Sequence, residues 1–147
     1  MTGCSAYQEE ILLTDQSVHY MSQKGSIIFA SPEESAAFKL RFDYHQVGSN
    51  AYAMTLYPFL MSPIRFSLTN EGDMTLIMNG VSYGTEESMA MLNAYAPEFP
   101  WDHLTQIVAI GDLHNEHWAM ESWEPSRFKM NYAGSTVEWV VESSKFS

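Results

Sequence analysis

The sequence has little positive charge, one cysteine and no long apolar run. Seven Lys and Arg stand against 18 Asp and Glu, which gives a net charge of −11. Phosphate backbones repel so acidic a chain, and we therefore expect no nucleic-acid partner. The single cysteine, Cys4, excludes an internal disulfide. No apolar run reaches the length of about 18 residues that a membrane-spanning helix needs.

The signatures of common catalytic sites are also missing. The sequence contains no HExxH, no GxSxG, no glycine-rich phosphate loop and no Cys–His nucleophile pair. The nearest candidate is the stretch DLHNEH, in which His114 and His117 are flanked by carboxylates and could supply metal ligands. A metal-dependent enzyme centred on these two histidines remains an alternative. We expect no enzymatic activity, no metal and no cofactor, because a solvated loop after a helix is the simpler explanation of this stretch.

Aromatic residues and methionine are abundant. Aromatic side chains make up 14% of the chain, which also has ten Met, and 46% of its 147 residues are apolar. This length and composition are typical of one globular domain with a real core. Flexible, polarizable methionine suits either an irregular core or a surface that accepts varied apolar ligands.

Apolar residues alternate with polar residues over most of the chain, as in half-buried antiparallel strands. The clearest case is Phe38, Leu40, Phe42 and Tyr44. We expect residues 17–23 and 26–30 to form a first strand pair that turns at Lys24-Gly25. Further strands are predicted near 38–44, 52–56, 64–68, 74–78, 81–83, 117–123, 127–132 and 136–142.

The period changes to that of helices between residues 85 and 111. Thr85 is predicted to cap a first helix, and Glu86 and Glu87 suit its first turn. A second helix is predicted to start around residues 100–102 and to end at Gly111. The predicted fold is mainly β with two helices (α+β), an incomplete antiparallel β-barrel covered by a helical lid. Residues 1–10 are predicted to be a tether, and residues 11–147 a single domain.

The segment 56–68 has an unusual turn. It looks like two strands joined at Pro58, yet the turn also contains Phe59, Leu60 and Met61, where Gly, Asn, Asp, Ser or Pro is the norm. These three apolar side chains either fold back into the core or project into the surroundings. Because Pro58 and Pro63 bracket the turn and stiffen it, we predict that they project.

The residues Thr2-Gly3-Cys4-Ser5 resemble the end of a bacterial lipobox. In that motif small residues precede a cysteine that is lipidated and becomes the first residue of the mature chain. We expect the apolar signal segment of such a motif to lie upstream of this sequence. A chance Gly-Cys near a start codon is the alternative.

Several short motifs together resemble the LolB family of outer-membrane lipoprotein receptors, and more loosely the periplasmic carrier LolA. The similarity extends over roughly residues 24–142. The motifs that carry it, in chain order, are KGSII at 24–28, FDYHQ at 42–46, LYPF at 56–59, GDMTL at 72–76, Tyr83, FPWDHL at 99–104, Gly111 and the strand around Trp139.

The resemblance implies a non-enzymatic receptor at the periplasmic face of the outer membrane, anchored through Cys4. It would take lipoproteins from a LolA-like carrier and release them into the inner leaflet of the outer membrane, with Phe59, Leu60 and Met61 contacting the bilayer. Lipoprotein acyl chains would lie in a cavity lined by Phe42, Met54, Leu56, Phe66, Leu76, Met78, Met89, Leu92, Leu104 and Ile107. The alternative is a periplasmic β-barrel module that binds another apolar ligand or a protein partner.

Overall fold

The computed structural model describes residues 21–33, 37–47, 50–113 and 115–146. The predicted tether, Cys4 and His114 lie outside these residues. The strands are β1 (Met21–Ala30), β2 (Phe38–Gln46), β3 (Tyr52–Tyr57), β4 (Ile64–Leu68), β5 (Met74–Met78), β6 (Val81–Tyr83), β7 (Ala119–Glu124), β8 (Arg127–Tyr132) and β9 (Ser135–Phe146). The helices are α1 (Thr85–Asn93) and α2 (Leu104–Ile110), and a 3₁₀ turn, Trp101–His103, precedes α2.

The nine strands form one antiparallel sheet in the order β6-β5-β4-β3-β2-β1-β9-β8-β7. Strands β6 and β7 are its two edges, and the described residues do not pair them, so the sheet stays open. The chain leaves edge β6, forms α1 and α2, and enters the opposite edge at β7. The structure therefore confirms the predicted fold class of an incomplete antiparallel barrel with two helices.

One face of the sheet carries the core. The strand registers place Phe42 opposite Leu56 and Met54 opposite Phe66, so inward residues meet across neighbouring strands. Trp139 on β9 packs on this face, with its ring centroid 4.2 Å from that of Phe42. The helical segment completes the core with Leu92, Trp101, Leu104, Ile107 and Val108, all buried. The sheet's inner face and the helices thus form a single packed interior.

The predicted turn at Lys24-Gly25 is wrong. Residues 21–30 form one strand, β1, which pairs with β2 on one side and with β9 on the other. The register with β9 shifts between Lys24 and Gly25, as at a β-bulge. A Cβ atom on Gly25 would lie 1.9 Å from the carbonyl oxygen of Val140. Glycine is needed here because the backbone of β9 approaches too closely for any side chain.

The predicted cap of the first helix is also wrong. Gly84 is the N-cap residue of α1, and no side chain caps that end. The Thr85 hydroxyl instead accepts a hydrogen bond from the Met74 amide (3.1 Å) and donates one to the Met74 carbonyl (3.4 Å), which ties α1 to β5. The prediction for α2 is confirmed at its end, where Gly111 is the C-cap with φ 71°.

Two buried tyrosines have fixed hydrogen bonds in the core. The hydroxyl of Tyr44 donates to Gln46 Oε1 at 3.1 Å, and that of Tyr52 donates to the Trp101 carbonyl at 2.7 Å. Burial raises the pKa of Tyr44 far above its usual value of 10.0. Burial likewise raises the pKa of Tyr52, with smaller contributions in the same direction from Tyr44 and Asp102. Both tyrosines therefore keep their protons in the folded protein.

Replacing Gly25 by Ala should destabilise the protein by about 3 kcal/mol, because the new Cβ collides with backbone rather than with a movable side chain. The matched control is Gly84→Ala, where a Cβ meets nothing within 4 Å. That change should cost no more than about 1 kcal/mol, the range of an N-cap effect. The free energy of unfolding from denaturant titration measures both. Equal effects at the two positions would show that the β1–β9 contact can relax around a side chain.

Stability should fall steeply above about pH 10. The unfolded chain then releases the tyrosine protons that the folded chain retains at Tyr44 and Tyr52, so rising pH favours unfolding. Each tyrosine should contribute a loss of about 1.4 kcal/mol per pH unit, and the stability that they supply is complete below that pH. Denaturant titrations from pH 9 to 11 measure how the free energy of unfolding changes with pH. The Tyr44→Phe variant should reduce that slope by about 1.4 kcal/mol per pH unit, the contribution of one tyrosine. An unchanged slope in Tyr44→Phe would contradict this.

Candidate functional site

Residues 58–63, which connect β3 to β4 and which we call the tip loop, contain the most exposed apolar side chains described. Phe59 is 86% exposed, Leu60 88% and Met61 62%. The Met61 amide donates to the Pro58 carbonyl at 3.4 Å, which closes a four-residue turn from Pro58 to Met61. The structure thus places three consecutive large apolar side chains outside the core.

Leu60 has a left-handed backbone conformation, with φ 62°. A turn that needs positive φ at its third position normally has Gly or Asn there, because a Cβ atom costs about 1–2 kcal/mol in this region. Leucine gains nothing in return from burial, since its side chain is almost fully exposed. Strain of this kind is concentrated at functional sites, which makes the tip loop the first candidate.

The alternating strand directions place the tip loop at the same end of the sheet as the β1–β2 connection and the β8–β9 turn. A cleft of about 470 Å³ opens at this end, and its lining includes Phe29, Phe38, Tyr95 and Tyr132. We call it the tip-end cleft. The Phe29 and Tyr95 rings lie 5.6 Å apart, and Phe38 is 58% exposed. Apolar surface is therefore concentrated at the tip end of the molecule.

All positive side chains lie on the sheet, and the helical segment is acidic. Every Lys and Arg of the chain is on a strand, while the connection between β6 and β7, residues 84–118, contains six Asp and Glu and no Lys or Arg. Three of the cations adjoin the tip loop on the exposed face of the sheet. Arg65 follows Pro63 by two residues, Arg41 pairs with Tyr57, and Lys39 lies near the start of β2. A small basic region thus lies beside the apolar tip of a strongly acidic protein.

The carboxylate of Asp43, near these cations, accepts a hydrogen bond from Tyr57. The Tyr57 hydroxyl donates to Asp43 Oδ2 at 2.7 Å. This hydrogen bond is the main reason that the pKa of Tyr57 is raised above its usual value.

The ten residues predicted to line an acyl-chain cavity belong to the packed core. Eight of them are at most 2% exposed, and Met78 and Met89 are partly buried against the same cluster. None of the ten lines the tip-end cleft or the second cleft described below. Side chains fill the interior that they surround, so an acyl chain could enter only if the helices moved away from the sheet.

A second cleft, of about 400 Å³, opens at the opposite end of the sheet. Its lining includes Met21, Gln23, Gln46, Val108 and Val141, from β1, β2, α2 and β9. We call it the amide cleft, because two glutamine side chains reach it from the sheet. Sequence reasoning overlooked both glutamines, although each stands at an inward position of an apolar alternation, where a polar residue is a visible signal.

The predicted metal stretch is only partly described. His117 Nε2 lies 3.7 Å from Glu98 Oε2, and the backbone amides of His117 and Trp118 both donate to Asn115 Oδ1, at 2.7 and 2.8 Å. These bonds form a local turn before β7. Over the described ranges, no group of three or more His, Cys, Asp and Glu side chains is arranged to hold a metal ion.

Comparison with protein-family models found no matching family, and a search of curated proteins found no match. None of the helices in the described parts of the chain is both long and apolar enough to cross a membrane.

Replacing Leu60 by Gly should stabilise the protein by about 0.5–1 kcal/mol, because glycine adopts positive φ without strain and this outweighs its larger unfolded-state entropy. The control is Phe59→Gly at the neighbouring position, whose φ is not positive and which should show no gain. Denaturation midpoints with unchanged m values measure both. A stability loss of equal size in both variants would show that the Leu60 side chain has stabilising contacts of its own.

Proposed function

We propose that this protein is a LolB-like receptor that binds the acyl chains of lipoproteins and delivers them to a membrane without covalent chemistry. The observation that carries the proposal is the tip loop, which holds three exposed apolar side chains on a strained turn. Contact with hydrocarbon would remove this apolar surface from water. No contact with the protein's own core does so.

The energetics favour a reversible contact. Full burial of one Phe or Leu side chain is worth about 1.5–3 kcal/mol. Phe59 and Leu60 together therefore supply a useful transient attraction, although not a permanent anchor. Stable membrane attachment needs a second signal, such as a lipid on Cys4 combined with an inserted loop. Lipidation at Cys4 and insertion of the tip loop would together keep the receptor at the periplasmic face of the outer membrane.

Charge would orient the molecule at the bilayer. Lys39 and Arg65 beside the tip loop are attracted to anionic headgroups, and Arg41 contributes less because Glu142 lies 3.9 Å from it. The acidic helical side is repelled by the same headgroups. The tip loop would then enter the inner leaflet while the helices face the periplasm. A LolA-like carrier would approach from that side.

Cargo binding requires the packed interior to open. Thr85 joins α1 to β5, and the Tyr52–Trp101 hydrogen bond holds the start of the 3₁₀ turn against β3. The Trp123 indole also donates to the Ile107 carbonyl at 2.9 Å, and the buried side chains of the helices pack against the sheet. Release of all these contacts would expose the ten core residues named above as a lining for acyl chains. Each methylene transferred from water would contribute about 0.8 kcal/mol. Methionines at positions 54, 78 and 89 would adapt the lining to different chains.

The alternative is a periplasmic module whose tip loop docks onto another apolar ligand or a protein partner. The filled interior supports this alternative, because the resting structure offers no acyl-chain cavity among the ten predicted lining residues. Both functions use the same exposed side chains. Binding to a bilayer distinguishes them, because the receptor function requires membrane contact and docking onto another partner does not.

Phe59→Glu and Leu60→Glu should each weaken association with liposomes that contain anionic phospholipid by about tenfold or more, because burial of one large side chain is lost and a charge is added. The matched control is Val47→Glu, at a 53% exposed apolar residue beyond the opposite end of β2, which should bind as wild type does. Sedimentation with liposomes measures the association. A fluorescent acyl-chain probe, added in the same experiment, measures cargo binding separately.

Three results would separate the possibilities. Probe binding that survives in the tip variants, together with lost delivery to liposomes, supports a membrane-contacting tip on a lipid-binding receptor. Equal liposome association of the wild type and the three variants would show that the tip loop does not contact the membrane. An absence of any probe binding by the wild type would reject acyl-chain cargo and favour docking onto another partner.

A further inference from the structure

We propose that the amide cleft is a binding site for an uncharged small molecule that has an apolar body and a carbonyl acceptor, such as an alkyl amide or ester. The site is separate from the helix-covered interior, and the proposal does not depend on lipoprotein binding. Its volume of about 400 Å³ lies within the range of roughly 300–1,000 Å³ typical of small-molecule pockets.

Two buried carboxamides lie in the polar part of the cleft, whose lining also includes Ser126, Ser143 and Ser144. Gln23 on β1 and Gln46 on β2 are each 3% exposed and lie on the same face of the sheet. The Trp139 indole donates to Gln23 Oε1 at 3.0 Å, and the Tyr44 hydroxyl donates to Gln46 Oε1 at 3.1 Å. These donors fix the orientation of both amides, because each oxygen must face an N–H or O–H group. The Gln23 nitrogen therefore lies on the side of its amide away from Trp139.

The nitrogen of Gln23 has spare donor capacity. A carboxamide nitrogen carries two N–H groups. Within the described chain, the hydrogen-bond contact of Gln23 Nε2 is with Met21 Sδ at 3.7 Å, and a thioether sulfur is a weak acceptor. A buried donor without a good acceptor costs about 1–3 kcal/mol, so a carbonyl oxygen entering the cleft would recover free energy there.

The pattern of donors does not change with pH in the neutral range. Burial holds the pKa of Tyr44 far above 10.0, so its hydroxyl continues to donate to Gln46. The indole of Trp139 has no acceptor function at all. Both amides therefore keep one orientation, which is a preorganised arrangement of donors rather than an adaptable one.

The remaining walls favour an apolar and uncharged ligand. Met21, Val108, Pro125 and Val141 supply apolar surface around the two amides. Glu142 is the one charged residue among the described lining, and its carboxylate lies 3.9 Å from Arg41. An anionic ligand would therefore find no counter-charge in the cleft of a protein whose net charge is −11. A neutral carbonyl group meets the donors without this penalty.

The test uses N-octylacetamide as the probe and octanoate, an anion with a chain of similar length, for comparison. The side-chain amide signals of ¹⁵N-labelled protein report the contact directly, because Gln23 and Gln46 lie in the cleft. Titration with N-octylacetamide should shift the Gln23 amide signals. It should bind at least about tenfold more tightly than octanoate, a free-energy difference of about 1.4 kcal/mol.

Two neighbouring residues of α2 offer a matched pair of variants. Ala109 lines the cleft, and Ala109→Phe should fill it and abolish the shift of the Gln23 signals. Ile110 is 67% exposed and is not among the lining residues, so Ile110→Phe should leave binding unchanged. Gln23→Glu keeps an oxygen for Trp139 and removes the amide donors, and it should weaken binding of the probe. Thermal unfolding of each variant shows whether it is folded.

Octanoate that shifts the Gln23 signals at the same concentration as N-octylacetamide would overturn the assignment of a neutral ligand. Unshifted Gln23 signals up to the solubility limit, or binding that persists in a folded Ala109→Phe variant, would overturn the site. The tip-loop variants should bind N-octylacetamide as wild type does, so failure of the membrane proposal and failure of this one can be told apart.

Discussion

The pairing of β1 with β9 is the contact on which the rest of the structure depends. It joins the N-terminal and C-terminal parts of the domain and converts two separate sets of strands into one sheet. Gly25 permits it by admitting the Val140 carbonyl where a Cβ would stand. The same pairing brings the Trp139 ring into contact with the rings of Phe42 and Phe128, and the Trp139 indole N–H donates to Gln23. Core packing and the amides of the second cleft therefore both follow from one strand pairing.

The two ends of the sheet carry accessible features while the interior is filled. The core side chains pack against the helices, and within the described residues the tip loop with its neighbouring cleft lies at one end and the amide cleft at the other. The two ends differ in chemistry. The tip end has exposed apolar side chains and nearby cations, whereas the opposite end has buried amide donors surrounded by apolar walls. The two proposals accordingly assign different kinds of ligand to the two ends.

Much of the candidate site could be predicted locally, but not all of it. Three apolar residues between two prolines mark the tip loop in the sequence, since turn chemistry is a local property. Alternation along each strand shows which residues share a face, but the tertiary structure is needed to show which face points inward. Gln23 and Gln46 interrupt that alternation, yet the sequence does not show that they open onto a common cleft. Only the pairing of β1 with β2 shows that these two residues, which are far apart along the chain, lie close together in the sheet.

Local sequence patterns predicted the fold class, the positions of most strands, the helix end at Gly111 and the apolar character of the tip loop. Each of these depends on neighbouring residues, through strand period, helix period or turn preference. Long-range contacts were needed to show that Gly25 lies inside a strand, that Gly84 rather than Thr85 caps α1, and that the core is filled. The bond from Trp139 to Gln23 joins residues 116 positions apart. Contacts over that distance arise from strand pairing and packing, which no local pattern encodes.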